Sequence, residues 1–356
     1  MTRCRTATLA ELDQVLDWAA AEGWNPGLAD AKAFYAADAQ GFFVALDAAQ
    51  PVAAISVVNH NDAFAFLGLY IVRPDWRGRG IGLTLWQHAL AHAGGRTVGL
   101  DGVPEQQANY AASGFAHAGG TTRFSGAVAP QPHAQIRPAT EAEIPGLIAW
   151  EAAASGQSKP AYLRAWFAPA PLRQTLVLAD DAGLQGACTV RQCRAGAKIG
   201  PLLANDIATA GALITHAATL WDGPLVIDVP GSAAQLAQLC HDLALQPGFE
   251  TARMYRGPFE GQVPPIFASQ RSSWGNTRKF TSRQRDTAHA DLARPCSAVT
   301  RVYWPHAPQR GTSRRVKRHR PTSTKGASHD LQPASHRPCR GGLRQLCRPQ
   351  PGLRRG

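Results

Sequence analysis

Apolar residues in 9–21 fall at Leu9, Leu12, Val15, Leu16 and Ala19, a spacing of three and four that gathers them on one side of a helix. Thr8 and Glu11 stand three apart at its start, the pattern of a capping box: the threonine accepts from a free helix N–H and the glutamate reaches back. Residues 3–7 read as a strand and 29–37 as a short second helix. Runs 41–47 and 52–59 flank Ala48-Ala49-Gln50 as a strand pair, and Phe64–Val72 adds the third strand of a meander. Helical spacing returns at Leu83, Trp86, Leu90 and Ala93. A strand at 97–100, a helix at 104–113 and a strand pair within 116–124 follow. This order predicts an α+β architecture, a mixed and mostly antiparallel sheet flanked by helices.

The pattern then repeats. Arg5-x-Ala7-Thr8-x-x-Glu11 recurs as Arg137-x-Ala139-Thr140-x-x-Glu143, Leu46-Asp47 as Ala179-Asp180, Val57 as Val190, and Gly114-Phe115 as Gly248-Phe249. Near-constant offsets argue for duplication. The second copy reads as a helix at 141–154, strands at 175–179, 186–190 and 198–203, a helix at 207–220, a strand at 225–229 and a helix at 233–243. The expected organisation is a first domain at 1–126, a Pro- and Gly-bearing linker at 127–133, a second domain at 134–260 and a tail at 261–356.

At 356 residues the chain has room for two domains. No stretch of about 18 apolar residues is present, so no membrane partner is expected. Seven cysteines, an odd number with no Cys-x-x-Cys pair, fit a reducing cytoplasm and no metal site. The net charge of +12 is unevenly placed: residues 1–260 hold 17 Lys and Arg against 22 Asp and Glu, and residues 261–356 hold 20 against 3. The tail is rich in Arg, Pro, Ser and His without periodicity, and a chain that buries so little apolar area is expected to be disordered. Its cluster Arg314-Arg315-Val316-Lys317-Arg318-His319-Arg320 would attract nucleic acid if the tail is native. The other reading is out-of-frame translation beginning near residue 268, which would replace a closing strand.

Arg77-Gly78-Arg79-Gly80-Ile81-Gly82 joins the third strand to the next helix. Glycines bring main-chain N–H groups close to an anion and the helix adds its positive dipole end, so the run suits a pyrophosphate; an ordinary strand-to-helix turn is the plainer alternative. Downstream, Tyr110-x-x-x-Gly114-Phe115 ends a short helix. Together, Arg77-x-x-Gly80-x-Gly82 and this second motif resemble the GCN5-related N-acetyltransferase (GNAT) family. Gly23-Trp24-Asn25-Pro26-Gly27, Leu100-Asp101-Gly102-Val103 and Arg253-Met254-Tyr255-Arg256-Gly257 are similar to a bacterial branch with two GNAT-like halves, covering about residues 1 to 258.

That resemblance implies acetyl-CoA as co-substrate, held by Ile71, Val72, Arg77, Gly78, Arg79, Gly80, Ile81 and Gly82, with an N–H from residues 69–72 for the oxyanion. It implies that Tyr110 protonates the departing thiolate. The loop 22–27 presents an indole at Trp24 and an amide at Asn25, which suit contact with an apolar or aromatic acceptor; a rigid turn around a packed Trp is the plainer alternative. Where the family commonly has an asparagine seven residues before the tyrosine, this chain has Val103. Deprotonating an amine of pKa about 10 at neutral pH costs about 4 kcal/mol, so a base is needed. Relatives often place an acid near the start of the third strand, but Phe64–Val72 contains none; Asp101, Asp62 and His60 remain. Asp101 has a counterpart in Asp228 before Pro230, in the half that lacks the loop, which favours helix capping over a base; a water held by backbone carbonyls is an equal route. The second copy has Ala204-Asn205-Asp206 where the glycine loop should be, and Asp206 would repel phosphate. The expected activity is acetyl transfer to a small-molecule primary amine by a monomer or dimer; the alternative is an acyl-CoA-binding sensor without turnover.

Overall fold

The computed structural model describes residues 2–259. The tail at 261–356, with both of its readings, lies outside the described residues. The strands are β1 (Arg3–Thr6), β2 (Phe42–Asp47), β3 (Gln50–Asn59), β4 (Phe64–Val72), β5 (Thr97–Gly102), β6 (Ala116–Gly126), β7 (Ile136–Pro138), β8 (Arg173–Asp180), β9 (Gly183–Gln192), β10 (Ala197–Ala204), β11 (Leu225–Pro230) and β12 (Gln246–Arg256). The helices are α1 (Leu9–Ala21), α2 (Asp30–Ala37), α3 (Ile81–Leu90), α4 (Gln107–Ala112), α5 (Ile144–Ser155), α6 (Pro160–Phe167), α7 (Ile207–Ala217) and α8 (Ala234–Asp242).

Both capping boxes form. Glu11 accepts from the Thr8 N–H and Glu143 from the Thr140 N–H, each at 2.8 Å, and Arg5 and Arg137 grip the same carboxylates in bidentate pairs. These charges hold Glu11 and Glu143 down to about 2, the arginine hydrogen bond contributing most.

Alternating residues of β2 and β3 face opposite layers. Phe42, Val44 and Ala54 pack on Leu12, Val15 and Leu16 of α1, whereas Phe43, Ile55 and Val57 pack on Leu85, Trp86 and Leu90 of α3. The second half repeats this, with Val177 and Ala187 under α5 and α6 and Leu176, Cys188 and Val190 under α7 and α8. Helix α2 meets α6, where Phe34 stacks on Trp166 with ring centroids 5.7 Å apart.

The two halves share one twelve-stranded sheet in the order β1-β2-β3-β4-β5-β12-β6-β11-β10-β9-β8-β7. Each half lays its last strand against the other's sheet: β12 lies antiparallel between β5 and β6, and β6 between β12 and β11. The strand pair expected within 116–124 is therefore one strand, Ala116–Gly126, whose neighbours on both sides come from the second half. A closing strand past residue 260 is not needed to cover β11, because β6 already pairs with it from Leu225↔Gly126 to Pro230↔Thr121. The edges among the described residues are β1 and β7, four and three residues long, which leaves little open ladder.

One element of the repeat is corrected. The counterpart of Gly114-Phe115 is Ala244-Leu245, not Gly248-Phe249. Both Gly114 and Ala244 have positive φ after a short helix, and Phe115 and Leu245 donate back to the carbonyls of Tyr110 and Cys240. Composition hid this, because the second copy holds the left-handed turn without glycine.

Candidate functional site

The site begins where two parallel strands part. Strands β4 and β5 pair only from Phe64↔Thr97 to Leu67↔Leu100, although β4 continues to Val72 and β5 to Gly102. A bulge drives the separation. Gly68 opposes Ser56 and Ile71 opposes Ala54, so Leu69 and Tyr70 share one partner position, and Leu69 takes φ 48°. Past Leu67 and Leu100 a gap opens in the sheet, at the end that leads into the glycine loop.

From Val72 the chain passes through a 3₁₀ turn, Pro74–Trp76, into Arg77-Gly78-Arg79-Gly80. Gly80 is the N-cap of α3 with φ 77°, a left-handed conformation that leaves the helix start without any side-chain cap. Ile81 is buried beneath it. At Gly82 the reason for glycine is close approach: a Cβ there would fall 2.6 Å from Tyr70 Oη and 3.1 Å from Val72 Cγ2. Arg77 donates through Nε to the Val72 carbonyl at 2.9 Å and pairs with Glu22 at the end of α1, while the Arg79 guanidinium lies 4.7 Å over the Trp76 ring. Gly78, Arg79 and Gly80 are exposed. An exposed, uncapped helix start preceded by two arginines is complementary to a phosphorylated ligand.

Tyr110 of α4 stands beside the same gap. Its ring stacks on Trp86 at 5.5 Å and 16°, and lies edge-on to Phe115. It also rests on Gly102, where a Cβ would come within 2.9 Å of the ring. Burial pushes the Tyr110 phenol up to about 12, so it stays protonated at neutral pH. Tyr70, tilted on Trp86 at 5.3 Å, is raised by burial and also by Tyr110. Tyr70 was not among the sequence candidates. Its place opposite a glycine of the loop was readable only once the bulge turned it.

Asp101 is placed differently from a free base. Its Oδ1 accepts from Arg253 Nε at 2.5 Å and its Oδ2 from Arg253 Nη2 at 3.0 Å, across the direct pair Arg253↔Asp101 of β5 and β12. Asp228 is held the same way by Arg123 of β6, at 2.7 and 3.1 Å. Neither aspartate caps a helix; both tie an exchanged strand to its host. His60 and Asp62 precede β4, a nine-residue strand whose far end leads to the loop, about 26 Å away. His60 is held down to about 4, by burial first and then by Lys159, and its Nδ1 is buried without a partner.

The loop after α1 docks on the second half. Asn25 exchanges two hydrogen bonds with the Ala195 backbone, at 2.9 and 3.2 Å, and the Trp24 carbonyl accepts from Arg123 and Lys198. The Asn25 amide is thus engaged within the chain, while Trp24 is half-buried.

The second half keeps the parting of strands and loses the chemistry. Pairing of β10 with β11 stops at Ile199↔Ile227, but Asp206 caps α7 by accepting from the Thr209 N–H at 2.7 Å, occupying the helix start with its own carboxylate. Cys240, wholly buried, stands where the first half has Tyr110. A separate cleft of about 290 Å³ opens between Pro138, Phe167, Pro171, Gln174, Thr175 and Trp221, on strands that do not border the glycine loop. Among the described residues no group of three or more His, Cys, Asp or Glu is arranged to hold a metal ion, and no helix is long and apolar enough to cross a membrane.

Comparison with known proteins identifies the family. Residues 9–119 match the acetyltransferase (GNAT) family model and residues 147–268 an acetyltransferase (GNAT) domain model. A holothin acyltransferase from Pseudoalteromonas sp. (strain SANK 73390) is 34% identical over 257 residues, covering 71% of this chain and 87% of that protein. The chain belongs to the GNAT family of acyltransferases. Its two GNAT domains stand in tandem. A putative acetyltransferase from Pyrococcus horikoshii shares the fold with a TM-score of 0.61 at 19% identity, covering 75% of this chain and 95% of that one. A tandem GNAT protein from the clavulanic acid biosynthesis pathway does so with a TM-score of 0.52 at 15% identity, covering 73% and 100%.

Proposed function

We propose that the first GNAT domain transfers an acetyl group from acetyl-CoA to the amine of a small molecule, by direct attack in a ternary complex. The observation that carries this is the gap between β4 and β5, which opens onto an uncapped, glycine-lined helix start on one side and Tyr110 on the other. The loop Arg77–Gly82 and the strand end at Ile71 and Val72 take the pyrophosphate and pantetheine, and the thioester lies in the gap. An acceptor held there attacks as if intramolecularly, which removes much of the entropic part of the barrier.

Tyr110 acts on the leaving sulfur. A phenol at about 12 is a weaker acid than an ordinary thiol at about 8.5, and full proton transfer to the thiolate would cost roughly 5 kcal/mol. Its role in this reading is a hydrogen bond to the sulfur as charge develops there, with the proton supplied by the ammonium formed on attack. The proton lost by the incoming amine leaves through water bonded to backbone carbonyls of the parted strands, since Arg253 occupies both oxygens of Asp101.

The relative named for holothin suggests holothin as one acceptor to try. Thiol release from acetyl-CoA over a panel of amines that includes holothin tests the proposal, together with a thermal shift by CoA that Gly80→Asp removes. No CoA shift in the native protein would sink it. The engaged state of Asp101 favours a second reading, a CoA-responsive sensor; a CoA shift with no thiol release from any amine would select it.

A further inference from the structure

Beyond Leu67 and Leu100, strand β5 has no partner in β4. Asp101 and Gly102 are therefore paired within the sheet on one side alone, with Arg253 and Ala252 of β12. Gly102 is the surface on which the Tyr110 ring rests, and its carbonyl accepts from Gln107 Nε2 of α4 at 3.3 Å. The floor under Tyr110 is thus set by a strand that belongs to the other domain.

Strand alternation puts the Asp101 carboxylate on the opposite side of the sheet from Tyr110, so it anchors without intruding on the coenzyme side. Arg253 grips that carboxylate with two hydrogen bonds, lies 5.3 Å over the Phe66 ring of β4 and reaches Tyr255 Oη at 3.5 Å. One guanidinium so spans both strands that bound the gap. The same pair in the other half, Arg123 with Asp228, sits beside a gap without a glycine loop or a tyrosine.

We infer that Arg253 is a positioning residue for the reaction proposed above: through Asp101 it fixes the Asp101–Gly102 segment, and with it Tyr110, at the gap. The inference rests on that reading for its catalytic consequence. It makes the second domain, which has lost its own coenzyme loop, a working part of the first domain's site. It also gives a reason for the halves to remain fused, since the grip requires β12 to lie against β5.

The test uses the full chain carrying Arg253→Ala or Arg253→Lys, with Arg137→Ala as a control that removes an exposed bidentate pair elsewhere. Without any substrate, amide hydrogen exchange over 100–112 should quicken in Arg253→Ala and stay unchanged in Arg137→Ala; native protection in Arg253→Ala overturns the inference. With acetyl-CoA and the best amine of the panel, kcat should fall about 100-fold while KM for acetyl-CoA stays within about twofold, Arg253→Lys being intermediate. An unchanged kcat, or a loss confined to KM, also overturns it. If Arg253→Ala does not fold, Arg253→Lys and Asp101→Asn take both measurements. A native protein that turns over no amine refutes the acetyl-transfer reading instead, and the exchange result then decides whether Arg253 holds the segment.

Discussion

Tyr110 and Cys240 occupy the same place in the two halves: each accepts, through its carbonyl, the N–H of the residue five positions on, Phe115 at 3.1 Å and Leu245 at 2.9 Å. The backbone that presents a phenol to the gap in one domain presents a buried thiol in the other, and burial pushes that thiol up to about 11. A protonated, enclosed thiol beside a helix already capped by Asp206 has neither the reach nor the anion site of its counterpart. One coenzyme site per chain is expected, measurable as a stoichiometry of one by calorimetry with CoA. Tyr110→Phe should keep that stoichiometry and lower kcat about 100-fold, the range for losing one hydrogen-bond donor to charge that develops in the transition state. Equal kcat in Tyr110→Phe would remove the phenol from the chemistry.

Gly82→Ala puts a methyl 2.6 Å from Tyr70 Oη, and the ring cannot retreat freely because it packs on Trp86. A loss of about 1–3 kcal/mol is expected from such overpacking. Tyr70→Phe removes the atom that clashes. The double variant should therefore recover part of the loss, which a thermal-denaturation cycle over the four proteins measures directly; simple additivity would contradict the packing described.

The two capping boxes predict a shared acid response. Glu11 and Glu143 sit near 2 in the folded chain, below the ordinary carboxylate value of about 4.3. Because the folded value is depressed, their contribution is fully present above the unfolded value and is lost as pH falls from about 5 toward 2. Thr8→Ala and Glu11→Gln should each lower stability by about 1 kcal/mol at pH 7. At pH 2 the penalty of Glu11→Gln should shrink, read as converging melting temperatures.

Strand exchange predicts that the halves do not stand alone. Residues 2–133 by themselves leave β5 without β12, and β6 without either neighbour, exposing long unpaired ladders. Insolubility is expected for that piece and for 134–259 expressed separately. Co-expression of the two should restore soluble protein that migrates as a complex; a soluble, folded first half would refute the exchange as a requirement.

Local order set much of this protein and was legible in sequence. The capping boxes, the meander, the glycine loop before a helix and the short helix bearing Tyr110 depend on neighbours a few residues apart, and periodicity, glycine placement and hydroxyl–carboxylate spacing encode such features. The absence of a glycine loop in the second half was equally plain, because Asp206 declares itself at a helix start. Family membership followed from these local signals together.

Only the tertiary structure decided which strand completes which sheet. A strand's alternating pattern says that it has a buried side, not whose ladder it joins, so β6 reads as a strand pair of its own domain, and residues 246–256 do not read as a strand at all. Strand exchange supplied the partner of Asp101, 152 residues away, and the docking of the loop after α1 supplied that of Asn25, 170 residues away. Both residues carried chemistry that suited a site. Their partners, brought close by folding, made them fasteners between the two halves.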